Sequence, residues 1–263
     1  MRRWLAVALV GVGCGILAFV LLQPAVSSRH TARAQQRLAA EVPVGPAPAG
    51  PVRGPARVPV ARAVGTGAAL AVLRVPRFGD DWSWVAVEGT ALDQLADGPG
   101  HYRTTPLPGA RGNAAFAAHR AGHGDPFLDF DTLRTGDAVV VEQRKVRWTY
   151  RLVTSPRIVP VDATWVLRTS RKRELTLTTC WPRYGSSKRM YVRARLAQVD
   201  RQHARGWEPV WSAVSRVTDR SVRLRPRPAG ATGPARGEAA AARSASRARG
   251  RSRPGSTLPS ATR

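Results

Sequence analysis

Apolar and polar residues alternate with a period of two through most of the middle of the chain, the spacing of half-buried strands. In "KVRWTYRLV" the apolar and aromatic positions Val146, Trp148, Tyr150 and Leu152 are separated by Arg147, Thr149 and Arg151. The alternation also runs through Trp82–Glu88 and Arg189–Leu196. Shorter β-branched or apolar runs cover Leu70–Val75, Asn113–Ala118, Ala138–Glu142 and Glu174–Cys180. Pro76 ends the first of these or places it on a sheet edge. Two short helices interrupt the pattern. One starts with Thr90 as its N-cap and closes at Asp97-Gly98-Pro99-Gly100; the other covers residues 126–134. About eight short strands with turns between them predict a small all-β sandwich or barrel over residues 70–200.

The ends of the chain follow other rules. Met1-Arg2-Arg3 precedes the uncharged run Trp4–Leu22. As a helix this run reaches ~28 Å at ~1.5 Å per residue, close to the ~30 Å of a bilayer core. Residues 1–22 are therefore expected as a cytoplasmic stub and single-pass transmembrane signal-anchor, with the rest of the chain outside the cell membrane. Ala25-Val26-Ser27 is a passable cleavage site, but the apolar run exceeds the ~7–15 residues of a cleaved signal peptide. Residues 23–69, rich in Pro, Ala and Gly, read as an extracellular stalk. Residues 201–263 read as an Arg/Ala/Pro-rich tail, mostly disordered beyond Arg220; Trp207, Val210 and Trp211 are candidates for packing back onto the domain.

Charge sharpens this division. The net charge is +25. The tail alone holds 14 Arg against 3 acids, a net +11, whereas residues 70–200 hold 20 basic against 13 acidic residues, a net +7. The folded part is thus only mildly basic. Together with the N-terminal run, the Arg-rich flanks suit an anionic membrane or wall surface, and no nucleic-acid partner is expected.

Two cysteines remain to be explained. Cys14 lies in the apolar run; Cys180 ends the strand "ELTLTTC". The commonest fate of a lone cysteine is as a small buried hydrophobe. Here it sits at a strand exit, followed by Trp181-Pro182, with Arg183, Lys188 and Arg189 nearby to favour the thiolate. If Glu174–Cys180 and Arg189–Leu196 are antiparallel neighbours joined by the loop 181–188, Cys180 and Arg189 share one rim. A guanidinium there can stabilise a thiolate or an oxyanion; a solvated surface arginine is the blander reading. A cysteine nucleophile also needs a proton-transfer partner. Of the five histidines, His30 lies in the stalk, His203 past the last strand and His101 in the "GPGHY" turn. His119, where the strand 113–118 opens into a loop, is best placed, with His123 four residues on. No metal-ligand spacing is present: the cysteines form no CxxC, and Gly122 and Gly124 argue against a helix that would pair His119 with His123. No metal or cofactor is expected.

"TLTTC", followed nine residues later by the arginine of "RMYV", resembles the sortase signature TLxTC with its downstream arginine. "GNAAFAAHRAGHGDPFLDFDTLRTGD" is similar to the sortase histidine segment, and "LRVPRFGDDWSWVAVEGTALDQLADGPGHY" to the opening of class E sortases of high-GC Gram-positive bacteria. The likeness covers roughly residues 70–200, with three motifs in order. It implies an eight-stranded β-barrel cysteine transpeptidase, a thiol-protease-like hydrolase with Cys180 as nucleophile, His119 as proton carrier and Arg189 beside the oxyanion. It also implies weaker groove roles for Thr179, Asn113, Tyr102 and His123. The implied reaction cleaves a C-terminal LAXTG- or LPXTG-type sorting motif between Thr and Gly through a thioacyl intermediate. The acyl group then passes to an amine of a lipid-linked peptidoglycan precursor, fixing the exported protein to the cell wall. The expected partners are exported proteins with such a signal, that precursor and the membrane, with the enzyme a monomer.

Two other readings are weighed against this. A class C-like pilin polymerase would carry a lid segment before the barrel, and residues 23–69 lack an Asp-Pro-Trp-type motif. A non-catalytic, basic, membrane-tethered wall-binding protein would act through its tail. Ordinary values near ~8.5 for Cys and ~6.5 for His leave roughly 1% of sites with thiolate and imidazolium together at pH ~7.5, so slow turnover is expected unless the site shifts them.

Overall fold

Val139 and Val141 turn inward along one strand, and Val146, Trp148, Tyr150 and Leu152 along the next, as the period of two requires. These strands, β5 (Ala138–Gln143) and β6 (Val146–Leu152), form a hairpin. Its two linking residues, Arg144 and Lys145, both take left-handed backbone angles (φ 51° and 61°), the turn that matches the twist of paired strands. In a computed structural model the chain is described over residues 2–42, 58–204 and 206–213, all within one unit, Met1–Val222.

Ten strands occur among the described residues. Besides β5 and β6 they are β1 (Ala69–Arg74), β2 (Ser83–Glu88), β3 (Gly100–His101), β4 (Gly112–Ala117), β7 (Arg157–Pro160), β8 (Arg173–Trp181), β9 (Lys188–His203) and β10 (Gly206–Ser212). Pairing runs β9-β6-β5-β1-β2-β3-β4-β8 and closes through β8–β9, so eight strands make a barrel. β7 and β10 pair only with β9, outside that ring. The β4–β8 pair is parallel, and β4 is buried at every position. Closure leaves one continuous core around Trp148, Tyr150, Phe116, Leu70, Leu73, Leu175 and Leu177. Each such side chain stabilises the fold by about 1.5–3 kcal/mol.

Several expectations are corrected. The stalk expected over residues 23–69 is structured in two places. Helix α1 spans Arg2–Glu41. Its Thr31, Ala34 and Leu38, and Val42 just past its end, are buried at helical spacing, with Leu38 and Val42 packed on Val85 and Val87. Gln35 explains why the helix docks there. The two-residue β3 leaves Val85 unpaired on one side, and the Gln35 carboxamide accepts from its N–H (2.7 Å) and donates to its carbonyl (3.0 Å). Polar anchors of this kind leave no apolar periodicity to read. Farther on, residues 58–64 form a strap along the barrel: Val58 and Ala61 enter the core, and the Gln143 side chain bonds both the N–H and the carbonyl of Arg62.

The helix at 126–134 reduces to the 3-10 turn Phe130–Thr132. Phe127, Phe130 and Leu133 are buried at a spacing of three, the period of a 3-10 turn. Helix α2 (Leu92–Asp97) has Ala91 as its N-cap, not Thr90; Ala91 N–H donates to the Gln94 side chain. The barrel extends past residue 200: β9 runs to His203, β10 returns along it, and the Arg147 guanidinium lies 4.0 Å from the Trp207 ring centre. The rest of the expected tail, 214–263, lies outside the described residues, as does 43–57 of the stalk. The expected membrane span falls on the first half of α1, where several side chains lie outside the described residues. Among the described residues no helix is long and apolar enough to cross a membrane.

Candidate active site

β8 and β9 pair in the register that the loop length implied. Thr178 faces Tyr191, Thr179 faces Met190, and Cys180 faces Arg189. Cys180 is a free, half-buried thiol. Parallel pairing of β4 with β8 brings the end of β4 to the same level: Ala117 faces Thr178, and Ala118 N–H donates to the Thr178 carbonyl (3.2 Å). His119 is the next residue. Cys180, His119 and Arg189 thus line one groove of about 760 Å³, with Tyr102, Thr178 and Thr179.

The loop after His119 is folded tightly. Phe127 N–H donates to the His119 carbonyl (3.0 Å), and Gly122 N–H to the Asp125 carboxylate (2.6 Å). The His119 and His123 rings stack with centres 4.6 Å apart and planes 22° apart. Burial, and secondarily the neighbouring His123, lower the His119 pKa below its ordinary value of 6.5. The imidazolium is therefore rarer than independent titration would give.

The arginines of the loop divide into committed and uncommitted. Arg183 lies 3.5 Å from Asp131 and 3.9 Å from Asp129. The Arg189 guanidinium donates only to backbone carbonyls, Ser186 (2.9 Å) and Lys188 (3.1 Å). Between these two, Arg189 is the one left without a carboxylate and set opposite the thiol. Arg120, which sequence reasoning missed, is 1% exposed. It pairs with Asp131 (2.9 Å) and lies 5.0 Å from the ring centre of Trp181. The acidic "DFD" segment ten residues on was its only signal in the sequence.

The weaker candidates separate. Tyr102 reaches the groove, its hydroxyl 3.0 Å from that of Thr178. Thr178, at the variable position of the TLxTC signature, also lines the groove. Thr179 is there too, but its hydroxyl donates to the Ala118 carbonyl (2.9 Å). Asn113 is not in the groove. It is fully buried at the far end of β4, accepting from Thr176 (2.8 Å) and donating to the Val166 carbonyl (3.1 Å). A strand start and a groove wall give the same sequence pattern, and only the direction of β4 tells them apart. His101 is also removed from the site, at 1% exposure, with Nδ1 3.1 Å from Glu88 and Nε2 3.2 Å from the Pro106 carbonyl.

Residues 73–197 match the family model of the sortase domain. A solved structure of sortase E from Streptomyces avermitilis is 35% identical, covering 56% of this chain and 94% of that one, with a TM-score of 0.50. The chain belongs to the sortase family. Two Streptomyces coelicolor relatives agree with the class E type: sortase SrtE1 is 32% identical over 155 residues and sortase SrtE2 is 30% identical over 153. Each alignment covers 53% of this chain, but only 43% of SrtE1 and 60% of SrtE2. The sortase motifs thus fall on one rim of the barrel, where the β4 exit meets the β8–β9 turn.

Proposed function

We propose that this sortase is a membrane-anchored cysteine transpeptidase. It cleaves a C-terminal LAXTG- or LPXTG-type sorting motif between Thr and Gly and passes the acyl group to an amine of a peptidoglycan precursor. The observation that carries the reading is the register of Cys180 opposite Arg189 in one groove with His119.

In the first half-reaction His119 takes the Cys180 S–H proton and the sulfur bonds the Thr carbonyl carbon. Arg189 donates to the oxygen as it becomes negative. The C–N bond to glycine breaks, and the proton on His119 leaves with the glycine amine. In the second half, a neutral amine bonds the thioester carbon and gives a proton to His119. The C–S bond breaks, and the thiolate regains that proton. A His119 held mainly neutral suits it to accept protons in both halves. Among the groove residues, Tyr102 and Thr178 offer hydroxyls to an extended peptide.

Anchoring rests on the sequence of the N-terminal run, Arg2-Arg3 followed by Trp4–Leu22, which orients the N-terminus to the cytoplasm. The substrates are then exported proteins bearing the motif, and the acceptor is a lipid-linked precursor at the same membrane. The test is a fluorogenic LAXTG peptide with and without triglycine. Cleavage that speeds up with the amine and yields a triglycine-joined product supports transfer. Hydrolysis alone would reduce the protein to a peptidase, and no cleavage of LAXTG or LPXTG peptides would remove the reading.

A further inference from the structure

His123 carries three features that a surface loop residue has no reason to combine. Its backbone is left-handed, at φ 53°, a conformation uncommon outside glycine and typical of functional loops. Its Nδ1 is buried without a hydrogen-bond partner, a cost that a solvated ring would avoid. Its ring stacks on that of His119. Its N–H, in turn, donates to the Ser27 hydroxyl of α1 at 3.2 Å. Helix α1 is itself fixed one turn later, where Thr31 is fully buried and donates to the Ala96 carbonyl (2.8 Å).

We propose that His123 is a positioning residue for His119: pinned to α1 through Ser27 and stacked on the neighbouring ring, it fixes the plane of the imidazole that exchanges protons with Cys180 and with the incoming amine. Without it, the His119 ring would have open space on one face and rotate freely about its side-chain bonds. Two imidazoles stacked with their centres 4.6 Å apart do not both carry a proton without repulsion, so the stack disfavours charge on His119. The charged groups around the pair are Arg120, Arg183 and Arg189 on the groove, with Asp125 in the loop and Asp129 and Asp131 paired to arginines. Burial already disfavours a proton on His119, and the stacked His123 adds to that bias.

The inference deepens the transpeptidase reading, and its test has a readout that needs no turnover. The full chain, in detergent micelles with Cys180→Ala to silence chemistry, is titrated by NMR through the His119 imidazole resonances. His123→Ala is expected to move the His119 midpoint to higher pH. In the Cys180 enzyme the same change should lower kcat by about ten- to a hundredfold with KM within about twofold. His123→Phe restores a stacking ring and should recover most of kcat. Ser27→Ala should lower kcat in the same direction by a smaller factor. An unmoved His119 midpoint together with unchanged kcat in His123→Ala overturns the proposal. So does a fall in kcat that His123→Phe does not relieve while the midpoint stays put, since that is loss of fold alone. Should His123→Ala fail to fold, the Phe and Ser27 variants decide by the same two readouts. A midpoint that moves in a protein that cleaves no sorting peptide would keep the positioning role and sink the transpeptidase reading.

Discussion

Asn113, Thr176, Glu174, Arg193 and Arg195 cluster at one end of the β4–β8–β9 ladder; about 20 Å along the same strands, His119, Cys180 and Arg189 meet at the other. At the first end most polar groups answer one another, although Glu174 Oε2 and Arg193 Nε are buried without a hydrogen bond. Thr176 donates to Asn113, Asn113 and Arg193 donate to the Val166 carbonyl, and Glu174 lies within 4 Å of both arginines. At the second end the thiol is free, the histidine has only a stacked neighbour, and the arginine bonds only main chain. The first end is built to hold the sheet together. The second leaves its thiol, imidazole and Arg189 guanidinium uncommitted to other side-chain hydrogen bonds, facing an open groove. A barrel that closes through β8–β9 makes both possible, since one rigid ladder spaces the ends and keeps their demands apart.

Substitutions should divide the two ends by what they damage. The largest effect belongs to Cys180→Ala, which should lower peptide cleavage at least ~10³-fold while leaving the melting temperature nearly unchanged. Arg189→Ala follows, at about 10²–10³-fold in kcat as an oxyanion donor is lost. Arg183→Ala, whose guanidinium is already committed to Asp129 and Asp131, should cost far less than Arg189→Ala in the same assay. Equal losses would show that the uncommitted arginine is not special. At the other end, Asn113→Ala leaves the buried Thr176 hydroxyl without its acceptor, while the Val166 carbonyl keeps the Arg193 guanidinium. Denaturant melts should show about 1–3 kcal/mol lost and kcat per folded molecule intact. The finest contrast is in pH. Burial lowers the His119 pKa, so the proton comes off in acid, and the ring turns uncharged below the usual 6.5. Activity should then fall only as pH drops through that lowered value, placing the acid limb of kcat/KM below 6.5. A limb at or above it would mean that His119 is neither desolvated nor the group reported.

What was legible in the sequence follows the same division. The Cys180–Arg189 pairing could be read because a hairpin loop fixes which strand positions face each other. The barrel could be read because alternation marks each strand. Ring closure through a parallel β4–β8 pair leaves no local pattern, so the sequence placed Asn113 and His119 on one segment without showing that they point to opposite ends. Helix α1 was hidden over residues 23–41 because Thr31 and Gln35 dock by hydrogen bonds and only a few apolar positions repeat, beside a proline-rich stretch that dominates the composition. Arg120 was hidden for a related reason: its burial depends on Asp131 and Trp181 arriving from separate segments.

The claim that the open end of the ladder does chemistry rests on Cys180 carrying the acyl group. The direct measurement is mass spectrometry of the full chain after brief exposure to a LAXTG peptide, quenched in acid and digested. The account predicts an adduct equal to the peptide acylated through its threonine, on the fragment containing Cys180, discharged by triglycine and absent from Cys180→Ala. Peptide cleavage with no adduct on Cys180, or an adduct that persists in Cys180→Ala, would contradict it.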